Sequence, residues 1–77
     1  MATHGYSTLM LQAINDANPF LLGVQLAKTC VRLNIPVKDV AEYLKVSRPT
    51  VYGWFVGKKE VSKRHQEQVQ KLIDKLA

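Results

Sequence analysis

Between positions 45 and 64 the chain carries Lys45, Arg48, Lys58, Lys59, Lys63 and Arg64 against Glu60 alone. The flanking segments balance. Lys28, Arg32 and Lys38 offset Asp16, Asp39 and Glu42 on one side, and Lys71 and Lys75 offset Glu67 and Asp74 on the other. The whole formal excess of +5 therefore sits on one segment. Ammonium groups and guanidinium forks bind phosphate oxygens, and arginine also matches the paired acceptors on a guanine edge. Ser47, Thr50 and Tyr52 add hydroxyl donors among these cations. Chemistry of this kind holds a polyanion, most often a nucleic acid.

Catalysis is not expected. His4 and His65 are far apart and have no cysteine or histidine cluster beside them, so no metal site can be read. There is no glycine-rich phosphate loop and no nucleophile signature. Asp39 and Glu42 lie three apart on one expected helix, where solvation is the ordinary explanation. No cofactor is implied.

With 77 residues the chain should form one domain with a modest core. A hydrophobic content of 47% suits a globular fold and is too high for a disordered tail. No apolar stretch approaches the roughly 20 residues of a membrane span, and no basic-then-apolar N-terminus announces a signal peptide. Cys30 stands alone, so it has no internal disulfide partner, which fits a reducing, cytoplasmic setting.

Asn18-Pro19, Asn34-Ile35-Pro36, Lys45-Val46-Ser47 and Gly57-Lys58-Lys59 divide the sequence into about five short helices. The first is expected over 7–17, with Ser7 or Thr8 as cap and Leu9, Met10, Ala13, Ile14 and Ala17 on one apolar face. The second is expected to start with Asn18 as cap and Pro19 as first helical residue. Phe20, Val24, Ala27 and Val31 form one apolar row, and Leu22, Leu26, Cys30 and Leu33 form another. Only Gln25, Lys28, Thr29 and Arg32 remain as a narrow polar stripe, so this helix should be central and its thiol buried and inert. The last helix should follow Ser62 as cap, with Val69, Leu72, Ile73 and Leu76 as its stripe. Lys63, Arg64 and His65 occupy its first turn. That is the wrong end of a helix dipole for cations, and the arrangement makes sense if a phosphate sits nearby.

Residues 37–56 read VKDVAEYLKVSRPTVYGWFV, two short helices around a tight turn. A third helix over about 38–44 should turn Val40, Ala41 and Leu44 inward, with Ala41 small enough for two helices to cross closely. Val46 then plugs the turn and Ser47 caps a fourth helix whose Val51 and Trp54 or Phe55 face the core. Arg48, Pro49, Tyr52, Gly53 and Val56 are left outside, and Gly57 stops the helix.

This pattern resembles the helix-turn-helix of the phage repressor and Cro family, also called Xre-like, over about residues 35–62. Ala41, Val46-Ser47, Val51, Trp54 and Gly57 stand at the family's characteristic positions. The resemblance implies an all-α, lambda-repressor-like domain of four to five helices whose second motif helix enters the DNA major groove. Lys45 replaces the usual turn glycine, Val37 replaces the usual threonine cap, and Gly53 interrupts the recognition helix. Gly53 either admits close approach to DNA or is merely tolerated. The extra helix is N-terminal here, which leaves the mode of any homodimerisation open.

On this reading Arg48, Pro49, Tyr52, Gly53 and Val56 are the base-reading candidates. Ser47, Thr50, Lys58, Lys59, Lys63 and Arg64 are the phosphate-binding candidates. Arg48 could instead hold phosphate, Ser47 and Thr50 could be plain helix-start residues, and Tyr52 could cover the core edge. The lysines after Gly57 could form a solvated basic loop. The expected function is a sequence-specific regulator of transcription on double-stranded DNA, a repressor, with size and resemblance pointing to a phage. The competing expectation is a small module that binds a host protein, such as a polymerase or nuclease, through the same scaffold. Nonspecific nucleic-acid binding, RNA included, is a third.

Overall fold

Ser7 opens the first helix as expected. Its Oγ accepts a hydrogen bond from the Met10 amide at 3.1 Å, satisfying one of the free donors at a helix start. The computed structural model describes residues 6–77; His4 lies outside them. Five helices follow in chain order: α1 (Thr8–Asp16), α2 (Leu22–Leu33), α3 (Val37–Leu44), α4 (Arg48–Phe55) and α5 (Lys63–Leu76). The fold is all-α, with no strand among the described residues. No helix among them is long and apolar enough to cross a membrane.

Helix α2 is the centre of the assembly and packs against α1, α4 and α5, while α3 packs against α4 and α5. Its Val24, Leu26, Ala27 and Cys30 have no exposed surface. Leu26, Ala27 and Cys30 share one core cluster with Ile14 from α1, Val51, Trp54 and Phe55 from α4, and Val69 and Leu72 from α5. Thr29, placed on the polar stripe by the sequence, is also buried; its hydroxyl donates to the Gln25 carbonyl at 3.0 Å and so needs no water. Tyr6 closes the far side of the core. It is buried, and its hydroxyl donates to the Ile35 carbonyl at 2.7 Å, tying the start of the chain to the α2–α3 corner.

Two expectations fail at the α1–α2 junction. Asn18 and Pro19 do not begin α2, which starts at Leu22. The Asn18 side chain accepts from the Phe20 amide at 2.9 Å, and the Leu21 amide donates to the Asn18 carbonyl at 3.2 Å. Asparagine and proline thus form a turn, in which proline suits the second position, before the helix can nucleate. Phe20 is consequently 86% exposed rather than part of an apolar row. Leu33 is also exposed, because Asn34 leaves the helix immediately after it. In α1, Leu9 is 79% exposed and only Ile14 is fully buried. Leu11, which the sequence reading left out, joins Met10 in packing against the core.

Helices α2, α3 and α4 end in the same way. Asn34, Lys45 and Gly57 each take a left-handed conformation, with φ of 61°, 59° and 79°. The next amide then reaches back five residues: Ile35 to the Cys30 carbonyl (2.8 Å), Val46 to Ala41 (3.0 Å) and Lys58 to Gly53 (3.0 Å). The positive angle expected at Lys45 is present. Helix α3 begins at Val37, not Lys38, and lacks a side-chain cap. Val37 is itself buried.

These ends predict substitutions of opposite sign. Lys45→Gly should raise stability by about 0.5–1 kcal/mol, because it removes the left-handed penalty of an L-residue. Gly57→Ala should lower it by more than about 1 kcal/mol. There a Cβ would also sit 3.2 Å from the Ala17 Cβ. Urea midpoints at unchanged slope would measure both.

The buried acids predict a pH dependence. Burial pushes the Cys30 thiol from about 9 up to about 11. Burial also raises the Tyr6 phenol, with smaller contributions from Cys30 and Tyr52. The folded state therefore holds both protons longer than the unfolded chain does, and this stabilisation is complete only below about pH 9. Melting temperature should fall as pH rises from about 9 towards 11, and Tyr6→Phe should flatten the upper part of that decline.

Candidate nucleic-acid interface

Helix α4 is held from beneath. Val51 and Phe55 have no exposed surface and Trp54 is nearly as deep, so the sequence's alternative of Trp54 or Phe55 resolves as both. The tightest contact lies between α4 and α2. A Cβ built on Gly23 would fall 2.6 Å from the Trp54 carbonyl oxygen and 2.7 Å from its Cβ, so the helices meet there backbone to backbone. The close approach expected at Ala41 concerns a different pair, α3 and α4, which do pack together with Ala41 buried in the core. The sequence reading did not single out Gly23. A glycine inside an otherwise apolar helical pattern was the available signal.

With the inner side occupied, the outer side is determined. Arg48, Pro49 and Tyr52 are exposed, while Gly53 and Val56 are half-buried. Tyr52 keeps 41% of its surface. Ser47 and Thr50 act at the helix start. Ser47 Oγ accepts from the Thr50 amide at 3.3 Å and lies 2.8 Å from Thr50 Oγ1. In that hydroxyl pair one group donates to the other, so one O–H remains free to donate outward.

The cations follow α4 directly. Lys58 and Lys59 are exposed on the connection to α5, and Lys63 and Arg64 are exposed in the first turn of α5. Among the described residues the single ion pair is Lys71–Glu67, at 3.3 Å on the solvated side of α5. None of Lys45, Arg48, Lys58, Lys59, Lys63 or Arg64 is engaged in an ion pair there, so their charge faces solvent uncompensated.

The start of α5 is anchored to α4 by an aromatic contact. The His65 ring lies 5.6 Å from the Trp54 ring, tilted by 51°. Ser62, the expected cap, occupies the cap position, but its side chain does not bond a backbone amide. Its hydroxyl pairs with His65 Nδ1 at 2.9 Å instead. This pairing and the Trp54 contact set the His65 ring and, with it, the turn that carries Lys63 and Arg64.

Along its other flank α4 borders α1. Pro49, Tyr52, Gly53 and Val56 line an open groove of about 600 Å³ together with Lys58, Lys59 and, from α1, Leu9 and Met10. Four of the five base-reading candidates and two of the phosphate-binding candidates thus meet at one surface feature, and Arg48 stands outside it. Leu9 and Met10 were not foreseen here, because the sequence reading placed both on the buried side of α1. A Cβ on Gly53 would lie 3.4 Å from Lys59 Cδ, which is ordinary contact, so the glycine leaves room beside the Lys59 stem without being sterically required.

Because Gly23 sets how closely α4 seats on α2, Gly23→Ala should push the Trp54 backbone outward. The expected cost is about 1–3 kcal/mol. The emission of Trp54, the only tryptophan, should shift in the folded variant if the helix moves.

No family model, curated protein or solved structure matches this chain.

Proposed function

We propose that the chain is a sequence-specific regulator of transcription that binds double-stranded DNA through α4, acting as a repressor of the phage-repressor and Cro type. The observation that carries this reading is the continuity of one surface. A short helix has its inner side fully buried and its outer side free, and unpaired cations follow immediately on the connection and first turn beyond it. The major groove admits a helix of that kind, and residues near its N-terminus reach base edges most deeply.

Arg48 takes the base-reading role, with its fork on the two acceptors of a guanine. Pro49 and Val56 offer apolar surface to thymine methyl groups, and Tyr52 reaches a base or a flanking phosphate. Lys58, Lys59, Lys63 and Arg64 hold phosphates beside the groove and set register without reading sequence. The free hydroxyl of the Ser47–Thr50 pair serves a phosphate as well as the helix start. A single recognition helix makes a small interface, so two copies related by a twofold axis would read half-sites about one helical turn apart.

Selection from random duplexes, followed by binding at several salt concentrations, tests the reading. A recovered sequence motif is expected, with a log–log salt slope of roughly −4 to −5 if four to six phosphates are neutralised. Arg48→Ala should cost about 1–3 kcal/mol and relax preference at one position of the motif. Uniform, steeply salt-dependent binding would reduce the protein to a nonspecific binder, and absence of binding at low salt would sink the DNA reading. Sedimentation showing a monomer both free and on DNA would remove the homodimer.

A further inference from the structure

We infer that the groove between α1 and α4 is a docking site for a peptide segment of a partner protein, one that presents apolar side chains flanked by carboxylates. Its walls are Leu9 and Met10 on one side and Tyr52 and Val56 on the other. Leu9 is 79% exposed although α1 turns Ile14 fully inward, so the helix shows apolar surface outward as well as inward. Leu9 and Tyr52 are two of the large apolar side chains left exposed, and both line this groove. The hollow, of about 600 Å³, is wide open to solvent, which suits a peptide lying along it.

The charge identifies the occupant. Among the described residues the only charged side chains lining the groove are Lys58 and Lys59, and no carboxylate lines it. An apolar wall ending in two ammonium groups complements a segment whose apolar face ends in aspartate or glutamate, as when an amphipathic helix lies in a groove. Nucleic acid fits the wall less well. Arg48, the best base-reading group, lies outside the groove, and Leu9, Met10 and Val56 have no side-chain donor for a phosphate.

The site has a regulatory consequence. Tyr52 and Val56 belong both to the groove and to the surface assigned to DNA, so a seated peptide would displace a duplex. That consequence rests on the DNA reading; the docking itself does not.

The test uses the full chain as bait for a displayed random-peptide library, with recovered peptides synthesised and titrated by amide NMR. Enriched peptides should carry paired apolar side chains and at least one carboxylate, and they should shift the amides of Leu9, Tyr52, Gly53 and Lys59. Leu9→Glu and the double variant Lys58→Glu/Lys59→Glu should each weaken binding about tenfold or more. These positions are solvent-exposed, so both variants should fold. Failure to enrich any peptide, enrichment without carboxylates, or unchanged affinity in Leu9→Glu would overturn the proposal. So would shifts centred on the smaller hollow beside Tyr43 and Leu76. Concentration-dependent shifts at Leu9 and Tyr52 without peptide would assign the groove to a second copy instead. Duplex DNA that shifts Leu9 and Met10 as strongly as Tyr52 would assign it to nucleic acid. A chain that binds such peptides but no duplex would support the groove while removing the DNA reading.

Discussion

Where Gly23 meets Trp54, the α2 backbone lies directly against the Trp54 carbonyl and Cβ, with no side chain from α2 between them. The position of α4 follows from this contact. Trp54, Val51 and Phe55 can all be buried at once because the helix axis lies so close to α2. Trp54 in turn presents its ring to His65, and that contact orients the first turn of α5 and its two cations. A larger residue at 23 would lift α4 and disturb both ends of this chain of contacts. One absent side chain thus links the central core to the surface that carries the charge.

The corners of the fold work by a second economy. Asn34, Lys45 and Gly57 reverse the chain with one left-handed residue each and a backbone hydrogen bond reaching back across the helix end. Asparagine tolerates that conformation and glycine is free in it, whereas lysine accepts it at a cost. Lys45 is the C-cap of α3, at the end of a helix whose dipole favours a cation over an anion.

Much of the molecule was legible because each sequence signal had a local cause. Ser7, Ser47 and Gly57 mark helix ends whose geometry depends on neighbouring atoms alone, and Val51, Val69 and Leu72 fall on stripes whose period has one reading. The failures are equally instructive. Asn18-Pro19 suits a helix start and a turn alike, and the Asn18 side chain chose the turn by bonding Phe20. Leu9 and Leu11 could both join the face of α1, and only the neighbouring helices decide between them. Gly23 carries no chemistry of its own, and its role exists only in the partner it touches. The groove was hidden for the same reason, since it is made jointly by α1 and α4, far apart in sequence. Among the site residues, Arg48, Pro49 and Tyr52 are exposed as the sequence implied, whereas Val56 also packs against the core.

The hydroxyl pair at Ser47 and Thr50 has a consequence for evolution. These two residues, together with the buried Val51, Trp54 and Phe55, carry the start and the seating of α4. Arg48, Pro49 and Tyr52 lie between them in sequence yet contribute nothing to the core cluster. The seating of the helix and its exposed surface are therefore written in different letters of the same short word. Point mutations can rewrite the outward letters while the inward ones keep the helix in place, so the chemistry this surface presents can change without passing through an unfolded ancestor.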